Sequence, residues 1–454
     1  MSKKLGKVML FILIFSVVII VPQSVNAKSH KGINIKKTFV KGTYVEMRRK
    51  KYDKNQDGYL SKNEIKKIKK LYLYTYQNDK MQSNINLKGI SKLKYLENIY
   101  FDAEHAIYNI KEIKKLTHLK DVEIREKSRK KRVIDLKKNK DIKKICIFVD
   151  KGIIKIGKKN KIKSLELYGV RNGISIIDKC GKIEKVDING DIQTKQSIIQ
   201  GKKNLKSISL GYNELQNLQI KDNNKLEMIE VVYGKVERCI FENNKKLQSV
   251  EMNNNGKLKN TEITGCDNLK KINIWDNKKL KNTEITNCAT LKKISMDNNK
   301  KLEKLNLNSV PRLKNLICTR GALQELNIVG KNRISEICLS YNKLKKFEYV
   351  NLRKMKELII NNNQLEGVFR ASLYSNLRYL DCENNKLTEI YGVGSEFYPD
   401  LMYCKNNKLK LIDYRGMTED LGIYYLDCRK NPNVVVYANL EDYDCDRSAQ
   451  IYWQ

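Results

Sequence analysis

Residues 53–64 place oxygen-bearing groups at the spacing of a calcium-binding loop, in the segment DKNQDGYLSKNE. Such a loop takes its ligands from positions 1, 3, 5, 7, 9 and 12 and turns sharply at a glycine in position 6. Gly58 fills position 6. The ligand positions hold Asp53, Asn55, Asp57, Tyr59, Ser61 and Glu64. We predict that this loop binds Ca²⁺; the alternative is a helix-capping loop without metal.

The residues around this loop bear on its affinity and on the local fold. Only three ligands are carboxylates, and four lysines surround them: Lys50, Lys51, Lys54 and Lys62. Charge repulsion then predicts a dissociation constant of roughly 10⁻⁴–10⁻³ M, the range of extracellular modules. Residues 44–51 are expected to form an entering helix. The spacing of Ile65, Ile68 and Leu71 predicts an exit helix, and Leu60 should face the core.

Beyond this loop the sequence offers little that would support catalysis. The chain has 3 histidines, His30, His105 and His118, and all of them lie near the N-terminus. It contains no nucleophile-elbow, zinc-binding or phosphate-loop motif. We therefore predict that the protein is not an enzyme. A cell-wall-active enzyme using paired carboxylates, as in glycoside hydrolysis, stays an alternative, as does a dockerin-like scaffold component.

The N-terminal segment has the pattern of a secretory signal peptide over residues 1–27. Lys3, Lys4 and Lys7 precede an apolar run at residues 9–21, and small residues follow at the expected cleavage site. The run is short for a membrane span, although an uncleaved anchor is the alternative. Residues 28–43 are predicted to be a linker. We expect a secreted or cell-wall-associated protein without a transmembrane anchor after cleavage.

An apolar pattern, L-x-x-L-x-L, recurs from residue 96 onward at intervals of 20 to 24 residues. A single repeat of this kind cannot bury its apolar side, whereas stacked repeats form a continuous core. Half-repeats at Leu258, Leu280 and Leu302 predict extended segments on the convex side as well. The repeats are predicted to start at residues 96, 119, 142, 162, 183, 205, 226, 247, 269, 291, 313, 334, 355, 377, 399 and 423.

Asparagine recurs eight residues after many of these starts. Its amide can hydrogen-bond the backbone of the turn that leaves each strand, where no neighbouring strand would satisfy it. The residues are Asn213, Asn255, Asn277, Asn299, Asn342, Asn363, Asn385, Asn407 and Asn431. The pattern is that of a leucine-rich repeat. We predict an α/β repeat solenoid: a leucine-rich repeat horseshoe with a parallel concave β-sheet and a small helical EF-hand-like N-terminal cap.

This combination of motifs resembles bacterial leucine-rich repeat surface proteins, broadly internalin-like, over about residues 40–440. In that family an EF-hand-derived cap covers the first repeat, and the loop at 53–64 occupies the matching place. The resemblance implies a calcium-binding cap over 44–74, a solenoid over 75–440 and a C-terminal cap over 441–454. We expect a Gram-positive cell surface as the setting. The repeat motif indicates the fold and says little about the partner.

Eleven cysteines are present, and their regular placement predicts buried free thiols rather than disulfides. Two of them, Cys266 and Cys288, stand eight residues after half-repeat starts, where asparagine stands elsewhere. Others share the core-facing sixth repeat position: Cys318, Cys382, Cys404 and Cys428.

The formal net charge is +39, and position within the repeat predicts where the charged side chains lie on the solenoid. Seven fifth-position residues, on the predicted concave face, are acidic and none is basic. Second-position residues are expected to align as a basic ridge along one edge of the solenoid. We predict that this edge associates with an anionic cell-wall polymer; the alternative is that lysine is merely solubilising. The ridge residues are Lys120, Lys143, Lys163, Lys206, Lys270, Lys292, Lys314, Lys356 and Arg378.

Aromatic residues accumulate on the predicted concave face toward the C-terminal end. Tyrosine and tryptophan beside polar groups suit binding to a protein or a glycan, although tyrosine also fits a β-surface without any such role. Specific nucleic-acid binding is not predicted. The predicted partner-binding residues are Trp275, Tyr341, Tyr379, Asp381, Tyr403, Tyr425 and Asp427.

Overall fold

The fold is a parallel β-solenoid in which each turn of the chain adds one strand to a principal sheet. The predicted leucine-rich repeat solenoid is therefore confirmed. A computed structural model describes residues 32–40, 43, 46–75, 84–190, 195–393, 399–416 and 422–452. The predicted signal peptide at 1–27 lies outside the described residues.

The principal sheet follows the predicted repeats closely. From 96 to 399, every predicted start lies two residues before a strand of this sheet. Alternation explains the strands: in Lys185–Asn189 the side chains of Val186 and Ile188 are buried and their neighbours face outward. The strands are Lys70–Tyr74, Asn98–Ala103, Asp121–Glu126, Lys144–Ile156, Ser164–Val170, Lys185–Asn189, Ser207–Gly211, Met228–Val232, Ser249–Asn253, Lys271–Trp275, Lys293–Asp297, Asn315–Thr319, Glu336–Cys338, Glu357–Ile359, Tyr379–Asp381, Leu401–Tyr403, Ile423–Asp427 and Leu440–Asp444.

Parallel strands also line the opposite side of the solenoid, as the half-repeats predict. A seven-stranded sheet comprises Gln196–Gln200, Asn217–Lys221, Arg238–Glu242, Asn260–Thr264, Asn282–Thr286, Lys304–Asn308 and Glu325–Val329. A five-stranded sheet comprises Glu366–Arg370, Lys386–Tyr391, Leu411–Asp413, Val435–Tyr437 and Gln450–Tyr452. Between the two sheets, residues 343–354 take turns and irregular conformations instead of a strand. Shorter strands are Gly32–Asn34, Tyr59–Ser61, Ile85–Asn86 and Ile107–Tyr108. Strand Lys131–Leu136 pairs in parallel with the second half of Lys144–Ile156.

Among the described residues, helices are few and short. The α-helices are Ile35–Thr38, Lys62–Lys67 and Gly173–Lys179, and the 3-10 helices are Ile90–Lys92, Ile110–Lys115 and Ala371–Leu373. In the described part of the chain, none of the helices has both the length and the apolar character to cross a membrane.

The predicted asparagine ladder is present and buried. Asn277 illustrates its bonding: Nδ2 donates to the carbonyl of Met252, 2.8 Å away, in the preceding turn. Oδ1 accepts from the backbone N–H of Asn255 at 2.9 Å. Asn277 thus satisfies backbone groups of neighbouring turns inside the solenoid, whereas Asn213 bonds Leu210 and Leu215 of its own turn.

A second ladder runs along the opposite side and was not predicted. Asn223 and Asn244 are fully buried, and their Nδ2 atoms donate to the carbonyls of Ile199 at 3.0 Å and Ile220 at 2.8 Å. Cys266 and Cys288 then take the same position, each with its thiol 3.6 Å from a nearby carbonyl. The signal was available, because both asparagines stand eight residues after the apolar half-repeat residues Leu215 and Val236.

Left-handed backbone conformation recurs at the eighth position of the repeats that start between 205 and 423. Asparagine and glycine suit this conformation, whereas a bulky side chain is strained there. With φ between 48° and 59°, the residues are Tyr212, Tyr233, Asn254, Asp276, Asn298, Arg320, Tyr341, Asn362, Asn384, Asn406 and Lys430.

The N-terminal region differs from the predicted boundaries. Residues 32–34, inside the predicted linker, pair antiparallel with 59–61, inside the loop. The exit helix ends at Lys67, earlier than predicted, because Ile68 is its C-cap. Leu71 lies instead in the first strand of the principal sheet, so that sheet begins inside the predicted cap. Of the predicted entering helix, Glu46 and Met47 are helical and 48–52 form turns.

The cysteines mostly agree with the prediction of buried free thiols, with one correction. Nine are free, and eight of these are buried. Cys428, predicted to be a free ladder thiol, forms a disulfide with Cys445. That bond ties the last turns of the solenoid to each other, a constraint that repeat spacing alone does not indicate.

Candidate functional site

The loop at 53–64 is folded around the side chain of Asp53, which is fully buried. Asp53 Oδ2 accepts a hydrogen bond from the Gly58 backbone N–H at 3.0 Å. Its Oδ1 is buried without a hydrogen-bond partner. Gln56 and Gly58 have positive φ, which produces the sharp turn. A buried, unpartnered carboxylate oxygen is costly, and a bound cation would satisfy it.

The other predicted ligands are partly engaged with each other. Asn55 Nδ2 donates to Asp57 Oδ2 at 2.9 Å, and the Tyr59 N–H donates to Asp57 Oδ1 at 2.8 Å. The backbone N–H groups of Ser61 and Lys54 each donate to the Glu64 carboxylate at 2.8 Å. This capping box begins helix Lys62–Lys67.

The electrostatics of Glu64 reflect these bonds. Burial acts to raise the pKa of Glu64, but the hydrogen bonds from Ser61 and Lys54 outweigh it and lower the pKa. Across the described residues, no three His, Cys, Asp or Glu side chains come together as a metal-holding group. The oxygen donors of the loop are nevertheless of the kind that a hard cation takes, and Glu64 already accepts hydrogen bonds from Lys54 and Ser61.

The predicted partner-binding residues at the C-terminal end form one continuous surface. Paired strands place Asp381 opposite Tyr403, and Tyr403 opposite Asp427. The Tyr403 ring lies 5.6 Å from the ring of Tyr379 and 5.6 Å from that of Tyr425. We call these five residues the tyrosine face. It is a row of tilted aromatic rings, with the partly exposed Asp381 on one side of the central ring. Asp427, on the other side, is buried and paired with Arg429.

The acidic groups at the tyrosine face differ in the direction in which their surroundings shift their pKa values. Burial raises the pKa of Asp381. Burial also raises the pKa of Glu383, reinforced by the charges of Asp381 and Asp427. Burial pushes the pKa of Asp427 upward too, but hydrogen bonds from Arg429 outweigh it and lower the pKa.

The tyrosines of this face are themselves held in an acidic setting. Burial, with the nearby charge of Asp381, raises the pKa of Tyr379 to about 12. The hydroxyl of Tyr425 donates to Asp444 Oδ2 at 2.7 Å, and this bond raises its pKa to about 12. Both hydroxyls therefore stay protonated at neutral pH, and the single hydroxyl proton of Tyr425 is already donated to Asp444.

Trp275 and Tyr341 do not join the tyrosine face. Trp275 ends strand Lys271–Trp275, several turns before Tyr379, and is 39% exposed. Tyr341 is 58% exposed in the left-handed turn of its own repeat, where asparagine would be unstrained. The predicted set of seven residues therefore separates into one surface of five and two isolated aromatics.

A second aromatic cluster lies at the N-terminal end of the principal sheet and was not predicted. The Tyr100 ring lies 6.1 Å from that of Tyr72 and 6.2 Å from that of Tyr74, beside a cavity of about 580 Å³. The alternation in KLYLY (70–74) would have revealed this strand. The strand was not predicted because residues 44–74 were assigned to the N-terminal cap.

Further aromatic pairs extend along the same end of the sheet. The Phe148 and Tyr168 rings stack at 4.1 Å, and the rings of Tyr212 and Tyr233 stack at 5.1 Å. Tyr212 and Tyr233 adopt the left-handed conformation, which costs a residue of this size about 1–2 kcal/mol. Exposed tyrosines at such strained positions make these turns a candidate binding surface.

The predicted basic ridge exists as an alignment, but much of its charge is paired. Backbone N–H groups of second-position residues donate to the second-position carbonyls of the preceding repeat, as from Lys292 to Lys270 at 2.9 Å. Acidic residues interrupt the row. Glu97 pairs with Lys120 at 2.6 Å, and Glu184 pairs with Lys163 at 2.7 Å. The row is thus less positive than its lysine content indicates.

Comparison with known proteins gives structural likenesses only. No protein-family model matches the chain, and no curated protein matches it. YopM from Yersinia enterocolitica is 12% identical, covering 79% of this chain and 87% of that one, with a TM-score of 0.35. The functional domain of InlJ from Listeria monocytogenes, described as including a cysteine ladder, is 12% identical, covering 91% and 83%, with a TM-score of 0.37.

A leucine-rich repeat protein of Leptospira interrogans is 14% identical, covering 86% of this chain and 91% of that one, with a TM-score of 0.36. All three are bacterial proteins. At these identities and scores, the fold assignment rests on the strand pairings described above.

Proposed function

We propose that this chain is an exported binding protein whose tyrosine face holds a protein partner that presents lysine or arginine side chains. The observation that carries the proposal is the row of three tyrosine rings, Tyr379, Tyr403 and Tyr425. The partly exposed carboxylates of Asp381 and Glu383 lie on the same turn as Tyr379. Tyrosine supplies large contact area at low conformational cost, and its ring face attracts cations. Asp381 and Glu383 can pair with the same cationic groups.

Two further parts of the molecule support this role in the proposal. Ca²⁺, when bound at 53–64, would be held by Asp53, Asn55, Asp57 and Glu64 and would fix the cap against the first strand. A positively charged edge would retain the exported protein on an anionic cell-wall polymer. The rigid stacked core keeps the tyrosine face preorganised, which lowers the entropic cost of binding.

The test is a selection of peptides from a displayed random library on the wild-type protein. We expect enriched sequences to be rich in lysine and arginine, and Tyr403→Ala to weaken their binding at least about tenfold. Tyr391→Ala is the matched control, because Tyr391 is an exposed tyrosine on the five-stranded sheet. It should leave binding unchanged.

Two outcomes would overturn this assignment. Peptides that bind equally well to wild type and Tyr403→Ala would place the partner surface elsewhere. A parallel glycan array whose hits depend on Tyr403, together with failure to enrich any peptide, would make the partner a glycan instead.

A further inference from the structure

A cavity of about 850 Å³ opens where the opposite sheets are interrupted. Its walls come from residues 330–333, from Val350, Asn351, Arg353 and Lys354, and from Pro311. These segments immediately precede the repeat starts at 334 and 355, so the cavity lies on the edge that carries the predicted basic ridge.

The cavity exists because residues 343–354 do not form a strand. Side-chain hydrogen bonds hold this irregular segment in place. Asn351 Nδ2 donates to the Ile328 carbonyl at 3.1 Å, and Asn332 Nδ2 donates to the Asn351 carbonyl at 3.3 Å. The hydroxyl of Tyr349 donates to the carbonyl of Leu326. The notch is therefore a built feature of the fold.

Four cationic side chains line this notch: Lys331, Arg333, Arg353 and Lys354. No acidic residue is among the lining residues. In the portion of the chain that the structure describes, none of the four forms an ion pair, unlike Lys120, Lys163 and Arg378 on the ridge. Glu348, from the same irregular segment, lines a neighbouring cavity with Lys345 and Lys346 instead.

We propose that this notch binds the phosphodiester groups of an anionic polymer. The planar guanidinium groups of Arg333 and Arg353 match phosphate oxygens in pairs, and the two lysines add point charges. Val350, which is 72% exposed, and Pro311 offer apolar contact to the carbon units between phosphates. The proposal rests on the exported, wall-associated role and names the site that performs the retention.

The test is isothermal titration of the full protein with long-chain inorganic polyphosphate across a salt series. Arg333→Gln/Arg353→Gln is expected to weaken binding about tenfold or more, and to reduce the dependence of log K on log salt. Arg333→Lys/Arg353→Lys keeps the charge and should recover only part of the affinity, because the paired hydrogen bonds are lost.

A charge-matched control separates a site from diffuse attraction. Lys331→Gln/Lys354→Gln should weaken binding severalfold, whereas Lys278→Gln/Lys279→Gln, which removes two exposed turn lysines elsewhere, should not. Equal weakening by both pairs would overturn the proposal. So would binding to phosphatidylglycerol vesicles without binding to polyphosphate, since the ligand would then be a lipid surface.

The proposed partner surface is tested separately in the same assay. Tyr403→Ala should bind polyphosphate like wild type. If the peptide-binding prediction fails and the polyphosphate prediction holds, the tyrosine face is rejected as the partner surface and the notch is still supported. If the polyphosphate prediction fails and the peptide-binding prediction holds, only the notch is rejected as a binding site.

Discussion

At the residue scale, Asp53 shows most clearly how local chemistry points to function. Its carboxylate is fully buried, with Oδ1 lacking any partner. Asp53→Asn keeps the shape and removes the buried charge, so stability in chelator should be equal to or above that of wild type. Wild type should gain about 1–3 kcal/mol from a ten- to hundredfold excess of Ca²⁺ over its dissociation constant, and the variant should gain none.

Thermal melting in Ca²⁺ and in chelator measures both effects. Asp150→Asn, an exposed carboxylate outside the loop, is the control and should melt like wild type in each buffer. A Ca²⁺-dependent rise that survives in Asp53→Asn would contradict the proposed site. Glu64→Ala is less informative, because Glu64 also caps helix Lys62–Lys67.

The raised pKa values at the tyrosine face give a second residue-scale prediction. Burial raises the pKa of Asp381, and burial with neighbouring charges raises that of Glu383. As pH falls, both lose their negative charge before an ordinary carboxylate does. Affinity for a selected basic peptide should therefore decline above the usual Asp and Glu range, and Asp381→Asn should flatten this decline.

Fluorescence anisotropy of the labelled peptide between about pH 4 and 7 would measure this. Asp102→Asn, at the other end of the sheet, should keep the wild-type profile. A wild-type affinity that rises on acidification would contradict the role of these carboxylates.

At the element scale, the asparagine ladder explains how the turns are stabilised. Asn277→Ala would leave the Met252 carbonyl and the Asn255 N–H without their buried partner. We expect a loss of about 2–4 kcal/mol in the free energy of unfolding. Denaturant unfolding measures this. Asn254→Ala, at an exposed left-handed position, should cost only about 1 kcal/mol; equal losses would show that the ladder adds nothing.

Elements with a regular spacing of apolar residues were predictable from the sequence. Features that depend on one local contact or on the path of one turn were not. The apolar spacing gave the strand positions from 96 to 399 because burial of one face enforces it. Strand Lys70–Tyr74 was mistaken for helix, because Ile65, Ile68 and Leu71 also fit a helical period. Disulfide Cys428–Cys445 depends on the path of the last turn, which no repeat pattern encodes.

The candidate site was predicted in part for a related reason. Residue type and repeat position identified all five members of the tyrosine face. The same repeat starts place Trp275 and Tyr341 in the repeats at 269 and 334, several turns before those at 377, 399 and 423. Grouping them by residue type alone overlooked this separation. Nor did lysine counts reveal the notch. Ion pairs such as Lys120–Glu97 balance charge along the ridge, whereas the four cationic notch residues form no ion pair within the described part of the chain.

At the scale of the whole molecule, surfaces of different chemistry lie at separate places along a rigid solenoid. The tyrosine face occupies the last turns of the principal sheet, and the cationic notch lies on one edge. Because parallel strands stack at about 4.8 Å, surfaces several turns apart act independently unless one partner spans them. The net charge of +39 is therefore less informative than the places where it is unpaired.

The most direct test of the account is amide hydrogen exchange of the full protein with and without a selected basic peptide. The account predicts new protection confined to strands Tyr379–Asp381, Leu401–Tyr403 and Ile423–Asp427. Exchange in the notch at 330–333 and 350–354 should stay unchanged. Protection at the N-terminal aromatic cluster instead, or spread along the lysine-bearing edge, would contradict the claim that the tyrosine face is the partner surface.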